Sequence, residues 1–184
     1  MKTIEMLDPQ GGLLEVYGKF PEIAKVFVPL FETVMRNDNT QLSLGKRELI
    51  ALYVSVLNKC DYCIKIHSES SRALGIKEER IQEFVNKGTF DGADENYKPI
   101  FELVRKMVTN VKSITKLDYD NAKDKGWNDQ TLVSLASVVG AYHMTNVFCS
   151  SLGFEVDVKG AKQTGSFLAK SGYTPVLKML NINL

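Results

Sequence analysis

The chain predicts an all-α fold, and three observations carry that expectation. Apolar residues recur at helical spacing along most of its length, helix caps and glycine stops punctuate those runs, and no strand–helix–strand alternation interrupts them. With 184 residues, 44% of them hydrophobic, the chain suits one domain with a real core, read as residues 1–184 with a core of about 42–157 and a helical tail over 158–184.

Taken in order, residues 21–37 hold an amphipathic helix with Pro29 in its middle, where the helix is expected to start or kink. Asn37-Asp38-Asn39 reads as a turn, and Ser43 as the N-cap of the helix that holds Glu48. Residues 49–57, LIALYVSVL, are nearly continuous apolar sequence rich in β-branched side chains, so a buried strand entering a thioredoxin-like CxxC helix is the rival reading. The helical flanks and the Asp61-Tyr62 pair between the cysteines favour a helix, with the CxxC at the start of a second, buried one closed by Gly75.

A short charged helix is expected over 77–86, with Ile81, Phe84 and Val85 inward, then a turn-rich stretch over 87–99. Amphipathic helices follow over 100–111 and 113–125, the latter closed by Gly126. Asn128 or Asp129 caps a long helix, TLVSLASVVGAYHMTNVFCSSLG, apolar on most faces and expected to be central or to lie at a subunit interface. Its Leu-Gly ending echoes the one at Leu74-Gly75 as a faint internal repeat. Gly172 and Pro175 divide the tail, whose apolar residues are expected to pack on this domain or on a neighbouring subunit.

The chemistry concentrates between Glu48 and Gly75. Cys60 and Cys63 stand at i and i+3 and His67 follows Cys63 at i+4, so all three share about 60° of one helical face. A rise of about 1.5 Å per residue sets His67 about 6 Å along the axis from Cys63 and about 10.5 Å from Cys60. A tight turn near Asn58-Lys59 folds the two helices together and brings Glu48 level with His67 to within about one turn. A thiolate attacks a peroxide or disulfide where a thiol does not, His67 accepts the thiol proton, Glu48 fixes the imidazole tautomer, and the second cysteine resolves a sulfenic acid to a disulfide.

Blander readings stand beside this one. His67 as a core histidine, Glu48 as a solvated charge in a first helical turn, and the two cysteines as inert buried residues each fit part of the pattern. Structural zinc needs four ligands, and the remaining soft candidates, His143 and Cys149, are too far apart on their own helix to face one site together. Cys149 reads as a buried free thiol; His143 and Asn146 could line the same pocket, with a satisfied buried histidine the more ordinary role.

Glu48, twelve residues, Cys60-Asp61-Tyr62-Cys63, three residues and His67 resemble the active-site signature of the alkylhydroperoxidase D and carboxymuconolactone decarboxylase family. The resemblance spans roughly Leu42 to Asp157, since AYHMTNVFCSSLG is also similar to the family's peroxidase-related members. It implies an all-α homo-oligomer that reduces a hydroperoxide substrate through its CxxC pair in antioxidant defence. No bound organic cofactor or metal is implied, and electrons come from a dithiol or lipoyl-type protein reductant. Tyr62 departs from the pattern: the best-known alkylhydroperoxidases carry a histidine there, so a relay through that histidine is absent. The family's lactone decarboxylases work without the CxxC pair, which favours redox chemistry. General thiol–disulfide exchange, and a non-catalytic helical oligomer or binding module that retains the motif, are the alternatives.

A formal net charge of +1, scattered basic residues and the absence of stacking platforms argue against nucleic acid as partner. Glu5 and Asp8 fall where a leader peptide would be apolar, and no uninterrupted apolar stretch suits a membrane span. The expectation is therefore a cytoplasmic protein. Three cysteines cannot all pair within one chain, and in a reducing compartment a close CxxC reads as redox or metal chemistry and not as a structural staple.

Overall fold

The computed structural model describes residues 4–184, so the first three residues of the stretch read against a leader peptide lie outside it. Among the described residues every regular element is helical, as the periodicity predicts. The main helices are α1 (Gly12–Lys19), α2 (Pro21–Arg36), α3 (Leu44–Leu57), α4 (Asp61–Ala73), α5 (Glu78–Gln82), α6 (Lys98–Thr109), α7 (Lys116–Asp124), α8 (Asp129–Ser151), α9 (Val158–Ser171) and α10 (Pro175–Met179).

The LIALYVSVL run is the centre of α3, not a strand. Leu49, Ala51, Leu52, Tyr53 and Val54 are all fully buried there, because α3 is covered by α4, α6 and α8 together. A helix surrounded in this way loses the polar face by which it is usually recognised, which is why the run also read as a strand. Ser43 caps α3 by accepting from the Lys46 amide at 3.4 Å, and Asn128 caps α8 by accepting from Thr131 N–H at 2.8 Å. Gly75 and Gly126 end their helices with φ of 80° and 91°, as their positions predicted.

The structure corrects four boundaries or faces. α2 begins at Pro21 and continues through Pro29 to Arg36, so Pro29 does not start the helix. Residues 113–125 do not form one helix: a 3-10 turn over Val111–Ser113 precedes α7, which starts only at Lys116. Thr115 and Asp118 form a capping box there, and Lys106 pairs with Asp118 at 2.6 Å. α5 passes directly into a π-helical turn, Glu83–Lys87. α8 is not buried all round, because Val133, His143, Met144 and Val147 lie on an exposed stripe. Its length and a mean hydropathy of 1.4 would allow it to cross a membrane, yet its inner face is a core face holding Leu135, Val138 and Tyr142.

The tail is built into the body of the fold. α9 packs along α4, and Gly165 makes the approach possible: a Cβ there would stand 2.7 Å from the Ile66 carbonyl oxygen and the Ser70 amide nitrogen. Any larger residue would push α9 away from the helix that carries both cysteines.

Candidate functional site

The α3–α4 turn is a single piece of capping geometry. The Lys59 amide bonds to the Val56 carbonyl and the Cys60 amide to the Ser55 carbonyl, both at 3.0 Å, which is the paired pattern of a Schellman stop. Lys59 supplies the left-handed residue, with φ of 55°, at a position that usually takes glycine. Cys60 ends this stop and at once serves as the N-cap residue of α4. The turn expected near Asn58-Lys59 is therefore present, and α3 and α4 run antiparallel from it.

This geometry brings the four sequence-predicted residues together. The Cys60 and Cys63 sulfurs are 2.8 Å apart, and neither is bonded to another cysteine. His67 follows one turn later, with Nδ1 2.7 Å from Oε2 of Glu48. Glu48 is 4% exposed and His67 5%, so Glu48 is not a solvated charge and His67 is a buried histidine with a carboxylate partner. An ionised Glu48 selects the Nδ1–H tautomer and leaves Nε2 as the free base.

Of the residues that other elements deliver, sequence reasoning raised Asn146 and missed Tyr142 and Tyr173. Tyr173, from the α9–α10 junction, donates to Oε1 of Glu48 at 3.4 Å, and its hydroxyl lies 2.5 Å from that of Tyr142 on α8. Burial holds both phenols well above the usual tyrosine range, so they remain protonated. The Tyr142 ring also meets the His67 ring edge to face at 4.6 Å. Asn146 spans from α8 to the turn, accepting from Asn58 Nδ2 at 2.9 Å and donating to Ser55 Oγ at 3.0 Å. His143, by contrast, is exposed and takes no part. Tyr142, Thr145, Asn146 and Cys149 recur at i, i+3, i+4 and i+7 on one face of an apolar helix, a polar stripe that could have flagged them.

Both thiols titrate high. For Cys60 the hydrogen bond to Cys63 is the largest cause and burial the next; for Cys63 the largest is Cys149, with burial adding to it. The Cys60–Cys63 contact acts oppositely on its partners, raising Cys60 and lowering Cys63, and the Asn146 amide also favours a Cys63 thiolate.

The two cysteines face different spaces. Cys63 and His67 line a cavity of about 530 Å³ with Leu13, Phe31, Tyr142 and Phe167 among its walls. Cys60 instead lines a cleft of about 590 Å³ with Lys59, Asp61, Lys65, Glu155 and Asp157. Tyr62 borders both, together with Gln10 and Val156. It is held by α1, whose Leu13 amide bonds to the Tyr62 hydroxyl at 3.4 Å, and Gly12 passes so close that a Cβ would lie 2.3 Å from that oxygen. Among the described residues no group of three or more His, Cys, Asp or Glu side chains is placed to hold a metal ion.

Residues 21–106 match the family model described as the carboxymuconolactone decarboxylase family. That segment is similar to this family. The match begins ahead of the Leu42 boundary read from the motif and includes Glu48, Cys60, Cys63 and His67. The fold is AhpD-like. An uncharacterized peroxidase-related protein from Silicibacter sp. TM1040 superimposes with a TM-score of 0.74 at 26% identity, over 81% of this chain and 78% of that one. An uncharacterized peroxidase-related protein with an alkylhydroperoxidase AhpD core, from Ralstonia eutropha JMP134, gives 0.74 at 18% identity over 83% and 79%. The debrominase Bmp8, solved in complex with 2,3,4-tribromopyrrole, shares the fold at a TM-score of 0.67 and 13% identity, over 91% and 81%. No curated protein sequence matches the chain.

Proposed function

We propose that the protein is a thiol-dependent peroxidase that reduces hydroperoxides at Cys63 and is restored by a dithiol reductant at Cys60, in antioxidant defence in the cytoplasm. The observation that carries this reading is the two-sulfur contact of 2.8 Å, with His67 one turn along the same helix and paired with the buried Glu48 of α3. In the first step His67 takes the Cys63 proton, the thiolate attacks the outer peroxide oxygen, and the O–O bond breaks. The departing alkoxide recovers the proton from the imidazolium, leaving Cys63 as a sulfenic acid and an alcohol as product. The Cys60 thiol then condenses with it, forming a disulfide and releasing water. An incoming dithiol attacks the Cys60 sulfur from the polar cleft, and a second exchange returns both thiols.

The cavity beside Cys63 is of the size that takes small organic molecules, which supports an organic hydroperoxide. The open, charged cleft at Cys60 supports a protein or lipoyl-type reductant on that side, and also the second reading, general thiol–disulfide exchange with protein partners. The exposed stripe of Val133, Met144 and Val147 on α8 supports a homo-oligomer, which light scattering at micromolar concentration checks. Peroxide consumption followed with several dithiol donors tests the central reading: turnover with a reversible loss of two thiols is expected. Disulfide exchange without peroxide consumption would leave the second reading standing alone.

A further inference from the structure

Cys149 is a third thiol in the same buried cluster as Cys60 and Cys63, enclosed with them by Leu7, Val16 and Phe154. It is fully buried and borders neither the apolar cavity nor the polar cleft. No oxidant or reductant entering by those two spaces meets it directly. Its position is nevertheless fixed toward the CxxC pair, because Asn146, one turn earlier on α8, is tied to Asn58 and Ser55 of the α3–α4 turn. Beside it the Cys63 thiol is pushed above the ordinary range, with Cys149 the first cause.

We infer that Cys149 is a second resolving thiol, which captures oxidised Cys63 as an internal disulfide whenever Cys60 is engaged in the cleft. This rests on the hydroperoxide reading above. During turnover Cys60 is occupied as a mixed disulfide with the reductant, and a sulfenic acid formed on Cys63 in that interval has no partner from the CxxC pair. Condensation with Cys149 forms the Cys63–Cys149 bond and releases water, so Cys63 is kept from irreversible over-oxidation. Once free, the Cys60 thiolate attacks the Cys63 sulfur, expels Cys149 as a thiolate that regains a proton, and restores the Cys60–Cys63 disulfide. Two electrons pass through each exchange, and the dithiol reductant supplies them at the end.

The test uses the full chain with Cys60→Ser, treated separately with one equivalent of cumene hydroperoxide and with diamide. After either oxidant, both remaining thiols should be lost, peptide mapping should find Cys63 joined to Cys149, and a sulfenic acid probe should label little. Adding Cys149→Ser, or Cys149→Ala should serine disturb the helix, should raise that labelling of Cys63 at least tenfold after hydroperoxide. Equal labelling with and without Cys149, together with no internal link after diamide, would overturn the inference. A link with diamide but no reaction with hydroperoxide would keep the Cys63–Cys149 pairing and overturn the peroxidase reading instead.

Discussion

Cys60 and Cys63 are three residues apart with sulfurs 2.8 Å from each other, yet one faces an open, charged cleft and the other an apolar cavity. The difference arises from a single turn of helix. Cys60 is the N-cap residue, still part of the turn, while Cys63 is inside α4 on the face covered by α8 and α9. Tyr62 between them borders both spaces and is held by Leu13 and Gly12 of α1. Two sulfurs in contact thus open onto two different spaces, with Tyr62, Gln10 and Val156 bordering both.

If the cavity side performs the oxidation, its base is the most sensitive point. His67→Ala should slow hydroperoxide oxidation of the protein by about 10²-fold at neutral pH, the usual magnitude for losing a positioned base. Because Cys63 is pushed above the ordinary thiol range, the wild-type rate should itself rise with pH, and the gap to His67→Ala should narrow as ionisation needs less help. Rapid-mixing kinetics at several pH values would measure both. A gap independent of pH would show that His67 does not serve as the base.

A second change separates the two faces. Thr164 of α9 lines the cavity but not the cleft, so Thr164→Trp should fill space beside Cys63 and leave Cys60 as it is. Reaction with a bulky organic hydroperoxide should fall about tenfold, a rise of about 1.4 kcal/mol in the activation barrier, while hydrogen peroxide and thiol–disulfide exchange are little changed. Equal loss for both oxidants would show that the cavity does not select.

The smallest effect concerns the tail. Tyr173→Phe removes the hydroxyl that bridges Glu48 and Tyr142 and should slow oxidation only a few-fold, since the 2.7 Å Glu48–His67 bond remains. Comparison with Tyr142→Phe in the same kinetic assay would show whether the bridge acts through Glu48: Tyr173→Phe should be the slower of the two.

These residues also show how far the sequence could be read. Glu48, Cys60, Cys63 and His67 were legible because helical periodicity and one tight turn suffice to bring them together, and both are local properties. Tyr173 was not, because it reaches Glu48 across 125 positions through the docking of α9 on α4, which depends on the space left by Gly165. Cys149 was read as an ordinary buried cysteine since its own helix gives no sign that another helix presents two more thiols to it. α3 and α8 were the ambiguous elements of the fold for opposite reasons: α3 is covered on several sides and loses its polar face, whereas α8 keeps an apolar face in the open.

Which sulfur meets the hydroperoxide decides between the cavity and the cleft as the site of oxidation. That is measured by comparing two single-thiol proteins, Cys60→Ser with Cys149→Ser and Cys63→Ser with Cys149→Ser, each mixed rapidly with cumene hydroperoxide and quenched with a sulfenic acid probe. The protein that retains only Cys63 should react close to the wild-type rate and carry the label on that residue, while the one that retains only Cys60 should react no faster than a free thiol at the same pH. Faster labelling of the Cys60-only protein would contradict the account, because the oxidation would then belong to the cleft and not to the cavity with its buried base.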